Sequence, residues 1–222
     1  MDEKVLMHAK LFEGFAEEEI KSVLKYLNAV EKSYDKDAYI FRAGEQASAL
    51  GVILSGAVQV VSEDYWGERQ IMGIFTQGQL FGESYACMEK TPLMVSAVAA
   101  EPSQILFIDA FRVFKTCSSA CEFHRRLIVN LVSILAGKNL VLTRKIEHIS
   151  KKTIRGKVLA YLSDEAGRQG GSSVELPFNR QQLADYLSVD RSALSAELSR
   201  MQREGLISYK KNHFILHKEM EG

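Results

Sequence analysis

The sequence predicts an α+β protein in three parts: an N-terminal β-roll, a long helix and a C-terminal winged helix-turn-helix. Three observations carry this expectation. Seven glycines, Gly44, Gly51, Gly56, Gly67, Gly73, Gly78 and Gly82, punctuate short β-rich runs. From Ser118 to Ser150 there is no proline and only one glycine, Gly137. Beyond residue 150 come two short helical patterns, a tight turn and a hairpin with lysines at its tip. The 222 residues are 46% hydrophobic and 25% charged, the balance of a globular chain that can bury one large core or two smaller ones.

A helical segment, Ala16–Leu27, precedes the roll. The strand candidates are Ala38–Phe41, Val52–Leu54, Ala57–Val61, Gln70–Phe75, Val95–Ala100 and Gln104–Ile108. Val58 and Val60 alternate about Gln59, as a half-buried strand requires. Regular short strands with glycine turns read as a roll or barrel.

In the helical stretch Ile128, Leu135, Leu142 and Ile149 fall seven apart, and Leu131 sits at an intervening position. A seven-residue apolar repeat is the pattern of helices that pair. Lys138 and Lys145 interrupt it, and packing on the chain's own roll is the plainer use of such a face. The length of the stretch favours pairing with a second copy through Ile128, Leu131, Leu135, Leu142 and Ile149. The expected division is 1–117 for the roll, 118–150 for the dimerisation helix and 151–222 for the helix-turn-helix.

The last part begins with a helix, Thr153–Gly167, a Gly170-Gly171-Ser172-Ser173 turn and a short strand, Val174–Phe178. Asn179 with Gln182 three residues on is a capping-box pattern. Ser188-Val189 make a turn, Asp190 caps a second helix from Arg191 to Arg203, and Gly205 stops it. Leu206–Tyr209 and His213–Leu216 form a hairpin around Lys210-Lys211-Asn212.

Charge agrees with a divided chain. Lys and Arg number 28, as do Asp and Glu, yet residues 151–222 hold 12 basic against 9 acidic side chains. A basic C-terminal part on a neutral protein points to a polyanion partner for that part. Three cysteines make no disulfide framework, which fits a reducing compartment. The N-terminus has no secretory apolar run. The apolar stretch Leu127–Leu142 is broken by Asn130, Ser133, Lys138 and Asn139, so no membrane span is expected and the location is read as cytoplasmic.

The second short helix suits DNA. Val189, Leu194, Leu198 and Met201 can anchor it, while Ser192, Ala193, Ser195, Ala196 and Ser199 form a slim opposite face. Only a slim face approaches base edges in the major groove. Arg191 at its start can reach a phosphate or a guanine edge, and Lys210 and Lys211 supply a basic wing.

On these residues the chain resembles the Crp/Fnr family of bacterial transcription regulators over nearly its whole length. The resemblance is carried by the glycine-punctuated roll, Phe81-Gly82-Glu83, the long helix, and the run from Asn179-Arg180-Gln181-Gln182-Leu183-Ala184 through Val189-Asp190-Arg191-Ser192-Ala193-Leu194 to Glu204-Gly205-Leu206-Ile207. It implies a cyclic-nucleotide-binding-like roll, a homodimer on double-stranded DNA, and contact with RNA polymerase. It assigns DNA contacts to Asn179, Arg180, Gln181, Asp190 and Arg191. Two departures stand out: the family's common Glu after the recognition Arg is Ser192, and its second recognition Arg is Ala196.

The resemblance places an effector pocket at Gly82, Glu83, Ser84, Val95 and Ser96, completed by Leu142 and Thr143. The family's phosphate-binding Arg is Val95 here, and no basic residue lies between Thr91 and Gln104. A desolvated phosphate would lack its bidentate partner, so cyclic AMP is disfavoured and another small effector is expected. A cyclic-nucleotide response and a thiol sensor at Cys117 and Cys121 stay open as alternatives; the plain reading of those cysteines is inert buried thiols. No cofactor is indicated. A metal-dependent enzyme on the roll would need clustered ligands, and no His lies between Ala9 and Phe123. His8, His124, His148, His213 and His217 are scattered, and Trp66 reads as a hairpin-tip aromatic.

Overall fold

The computed structural model describes residues 3–67, 69–88, 91–114 and 122–217. Cys117 and Cys121 lie outside the described residues. The chain divides into two compact units, 1–136 and 137–222.

In the first unit, α1 (Glu3–His8), a 3-10 turn (Lys10–Phe12) and α2 (Glu17–Tyr26) precede eight strands. These are β1 (Val30–Tyr34), β2 (Tyr39–Phe41), β3 (Ala49–Ser55), β4 (Ala57–Glu63), β5 (Arg69–Thr76), β6 (Leu80–Phe81), β7 (Ser96–Ala99) and β8 (Ser103–Asp109). Two antiparallel sheets form, ordered β1-β8-β3-β6 and β2-β7-β4-β5. Between them lies a small core of Ile53, Val58, Phe81, Ala97 and Ile105. A short helix, α3 (Glu83–Ala86), follows β6, and α4 (Ala110–Phe114) follows β8.

The alternation expected along β4 breaks at Val60. Val58 and Val61 are the buried pair, and Val60 is half-buried. The cause is a bulge in the neighbouring strand: Val60 faces Gly73 but Val61 faces Ile71, so Met72 is skipped. An extra residue on one strand bends and twists the ladder and re-aims side chains.

The long helix is α5 (Glu122–Ile149), with 28 residues. By length and composition it could cross a bilayer. Its first half is instead docked on the roll. Leu127 and Leu131 are buried in the first unit's main core, and Ile128, Ile134 and Leu135 pack against that core. Asn130 donates to the carbonyls of Leu11 (3.0 Å) and Glu13 (2.9 Å). Arg126 pairs with Glu19 at 3.3 Å.

This bears on the expected pairing stripe. Leu131 is buried in its own unit and Ile128 and Leu135 are half-buried against the same core, whereas Leu142 is exposed and Ile149 half-buried. Apolar residues occur on both sides of this helix. Val129, Val132, Ala136, Leu140 and Thr143, three or four residues apart, form a second, exposed face.

In the second unit, α6 (Ile154–Gln169) starts at Thr153, whose hydroxyl accepts from the Gly156 N–H at 3.0 Å. Then come β9 (Ser173–Glu175), α7 (Arg180–Leu187), α8 (Arg191–Arg203), β10 (Ile207–Lys210) and β11 (His213–Leu216). The three strands form one antiparallel sheet, ordered β10-β11-β9. β9 is shorter than the expected Val174–Phe178 run; Pro177 has no N–H to extend a ladder. Leu183, Leu187, Leu194, Leu198, Met201 and Phe214 belong to the unit's core.

Candidate nucleic-acid interface and sensor site

A side-chain cap opens each of α7 and α8. The Asn179 side chain accepts from the Gln182 N–H at 3.0 Å, and the Gln182 side chain accepts from the Asn179 N–H at 2.9 Å. α7 stops at Ser188, which adopts φ +52°, and the Val189 N–H returns to the Ala184 carbonyl. Asp190 then caps α8 by accepting from the Ala193 N–H at 2.8 Å. The Ser192 hydroxyl donates to the same carboxylate oxygen. These bonds, that of Ser192 first, hold the Asp190 carboxyl below the usual carboxylate range. Gly205, just past the end of α8, takes φ +76°, a conformation glycine adopts without strain.

α8 is two-faced. Leu194, Leu198 and Met201 are fully buried. Arg191, Ser192, Ala196 and Ser199 are exposed, and Ser195 is half-buried. The Ser195 and Ser199 hydroxyls fold back onto the Arg191 and Ser195 carbonyls, each at 2.9 Å, which keeps that surface low. Arg155 on α6 fixes the rotation of the helix: it reaches Glu197 at 2.8 Å and Glu204 at 2.7 Å. These carboxylates raise the Arg155 pKa, and Arg155 lowers that of Glu204. Lys157, also on α6, donates to the Leu187 and Ser188 carbonyls at the end of α7 (3.1 and 3.3 Å). Neither basic residue was singled out from the sequence. Arg155 and Glu197 lie 42 positions apart, with no local signal linking them.

The basic surface has three parts. Arg191 is exposed at the start of α8, and Lys210 and Lys211 are exposed at the wing turn, where Lys211 adopts φ +56°. Arg180 is half-buried, its guanidinium 5.0 Å from the Tyr209 ring and 5.6 Å from the Phe214 ring. Burial lowers its pKa. Arg180 thus ties the start of α7 to the wing, and no carboxylate pairs with it among the described residues. The Gln181 amide donates to Asp185 at 2.8 Å.

In the roll, Gly82 takes φ +76°, and a Cβ there would stand 2.9 Å from the Phe41 ring. Only glycine fits this approach. Glu83 follows it and is buried; the Ser84 hydroxyl donates to it at 3.3 Å. The Ser96 hydroxyl accepts from the Ala43 N–H at 2.9 Å. This bond and the Phe41 contact bring residues 41–43 beside the Gly82 and Ser96 segments. Val95 is half-buried and apolar. Arg42 is exposed and stacks on Tyr39, 3.9 Å from its ring centroid. Leu142 and Thr143 belong to the second unit and are exposed. Among the described residues no group of three or more His, Cys, Asp or Glu could hold a metal.

A glycine-cornered roll, a long helix and a braced winged helix-turn-helix define a DNA-binding transcription regulator with a built-in sensor domain. Residues 31–119 match the cyclic nucleotide-binding domain family, and residues 156–222 match the Crp-like helix-turn-helix domain family. The chain belongs to the Crp/Fnr family of transcription regulators. It is 27% identical over 193 residues to electron transport regulator A of Shewanella oneidensis, covering 84% of this chain and 74% of that one. It is 26% identical over 200 residues to the cyclic AMP receptor protein of Thermus thermophilus, covering 89% and 87%. In fold it is similar to the c-di-GMP-responsive global regulator CLP of Xanthomonas campestris, with a TM-score of 0.59 at 20% identity over 91% of this chain and all of that one.

Proposed function

We propose that this chain is a cytoplasmic, homodimeric regulator that reads an inverted repeat in double-stranded DNA and is controlled by a small effector in the roll. The carrying observation is the outward face of α8: small side chains, with Arg191 at its head, on a helix whose opposite side is buried and braced. Such a helix can enter a major groove. A dimer places two of them about 34 Å apart, one turn of DNA. The exposed face with Val129, Val132, Ala136 and Leu140 supports pairing of α5 with its copy. By family membership RNA polymerase is the further partner.

Arg191 is the base-reading residue; Lys210 and Lys211 contact phosphate; Asn179 and Asp190 act by capping, which aims the N-termini of α7 and α8 at the backbone. The match to the cyclic nucleotide-binding family supports a second reading, a nucleotide effector. Val95, where the phosphate would need a cation, argues against it. The effector class that suits Val95 and exposed Met94 is less charged or partly apolar.

Fluorescence anisotropy with a duplex selected by the protein from random sequence tests the DNA role. Arg191→Ala should cost about 1–3 kcal/mol on that duplex and relax base preference. Lys211→Ala should weaken all sequences alike and lower the salt slope by about one. Equal loss on selected and random duplexes for Arg191→Ala would remove it from base reading.

A further inference from the structure

His148 lies in the last turn of α5 and is 3% exposed. Its ring is 5.4 Å from that of Tyr161 on α6 and 6.0 Å from that of Tyr186 on α7, centroid to centroid. Phe178 packs on both tyrosines. The polar contacts join the same three helices. His148 Nδ1 lies 3.0 Å from the Tyr186 hydroxyl, and Nε2 lies 3.7 Å from Asp164 Oδ2 on α6. One turn earlier, the Lys145 ammonium stands 5.6 Å from the Tyr186 ring centroid.

The link between α5 and α6 is residues 150–153, all exposed. A short exposed link alone leaves a helix free to swivel. The contacts of His148 bypass that link. An apolar side chain here would pack yet tolerate sliding, whereas a buried imidazole must keep its partners and so selects one arrangement.

We infer that His148 is a positioning residue for DNA recognition: acting through Tyr186, it locks the end of α5 to the first helix of the helix-turn-helix. The DNA-reading unit then turns with α5 instead of swinging on residues 150–153. This rests on the proposed reading of the chain as a DNA-binding dimer.

Hydrogen-exchange mass spectrometry on the full chain, without DNA or effector, tests it. In the wild type the hydrogen-bonded amides within 145–157, those of 145–150 and of Gly156 and Lys157, should be as protected as the neighbouring core. His148→Leu and Tyr186→Phe should each speed exchange there about tenfold, with Leu194–Met201 unchanged. His148→Asn, whose amide nitrogen takes the place of Nδ1, should recover most of the protection. Unchanged exchange at 145–157 in the Leu variant overturns the inference. Equal acceleration in α8 also overturns it, because His148 would then be an ordinary core residue. Tyr186→Phe removes one oxygen and keeps the ring, so it decides the matter even where the Leu variant fails to fold. On the selected inverted repeat, Tyr186→Phe should lose at least half of the wild type's preference for that half-site spacing over one two base pairs longer. It should keep wild-type affinity for a single half-site. Failure of the wild type to bind any duplex would strike the proposed function and leave the exchange result standing.

Discussion

Two leucines on α5 separate the two faces of that helix. Leu140 is 60% exposed in the single chain, and Leu131 is fully buried in the roll's core. Burying a leucine completely is worth about 1.5–3 kcal/mol, so covering the exposed part of Leu140 contributes about 1–2 kcal/mol per chain. A two-fold interface contains the residue twice, which makes about 2–4 kcal/mol per dimer. Leu140→Ala should therefore weaken dimerisation roughly 30- to 700-fold, at 1.4 kcal/mol per tenfold, while the chain stays folded. Leu131→Ala should leave the dimer constant of folded chains near wild type and destabilise the first unit by about 2–5 kcal/mol. Sedimentation equilibrium reads the first effect, and thermal unfolding followed by circular dichroism reads the second. If Leu131→Ala dissociates the dimer as strongly as Leu140→Ala, the assignment of the two faces is refuted.

Three further outcomes are expected. Arg180→Lys keeps the charge but loses the planar stack on Tyr209 and Phe214, so it should speed amide exchange across Ile207–Leu216 as much as Arg180→Met does; a drop in salt slope with Met alone, and no change in the wing, would mark Arg180 as a simple phosphate contact. Asp190 has a folded pKa below its unfolded value, so its stabilisation of α8 is present at neutral pH and lost as pH falls through the carboxylate range; Asp190→Ala should remove that part of the acid loss, and an unaltered pH–stability profile would refute the role. Titration calorimetry should show no micromolar binding of cyclic AMP, since a desolvated phosphate without its bidentate cation forfeits about 2–5 kcal/mol; micromolar binding by the wild type would show that another cation, with Arg42 the first candidate, replaces the missing one.

Local chemistry was readable ahead of the fold. Asn179 with Gln182, Asp190 and Gly205 each act within four residues, and each forms the cap its sequence suggests. Most roll strands were visible because Gly turns bound apolar runs. β1 was not, because Val-Glu-Lys-Ser-Tyr carries an exposed, mostly polar pattern with nothing to distinguish it from loop. The bulge at Met72 was equally silent, since a skipped residue leaves no compositional trace. On α5 the apolar residues lie on two faces, and only the docked roll tells which one is covered. His148 was one histidine among five until α6 and α7 placed two tyrosines around it.

The Arg155 brace bears on how operator preference can change over time. The core side chains of α8, with Glu197 and Glu204 held by Arg155, lie on its inner half or just past its end. Of the outward side chains, Ser192 bonds the Asp190 cap and Ser199 reaches the Tyr209 hydroxyl, whereas Ala196 is exposed and uninvolved in the core. If α8 reads DNA as proposed, position 196 is the place where a larger side chain could alter the target sequence with the least effect on the domain's folding, and changes at 192 would touch the cap as well.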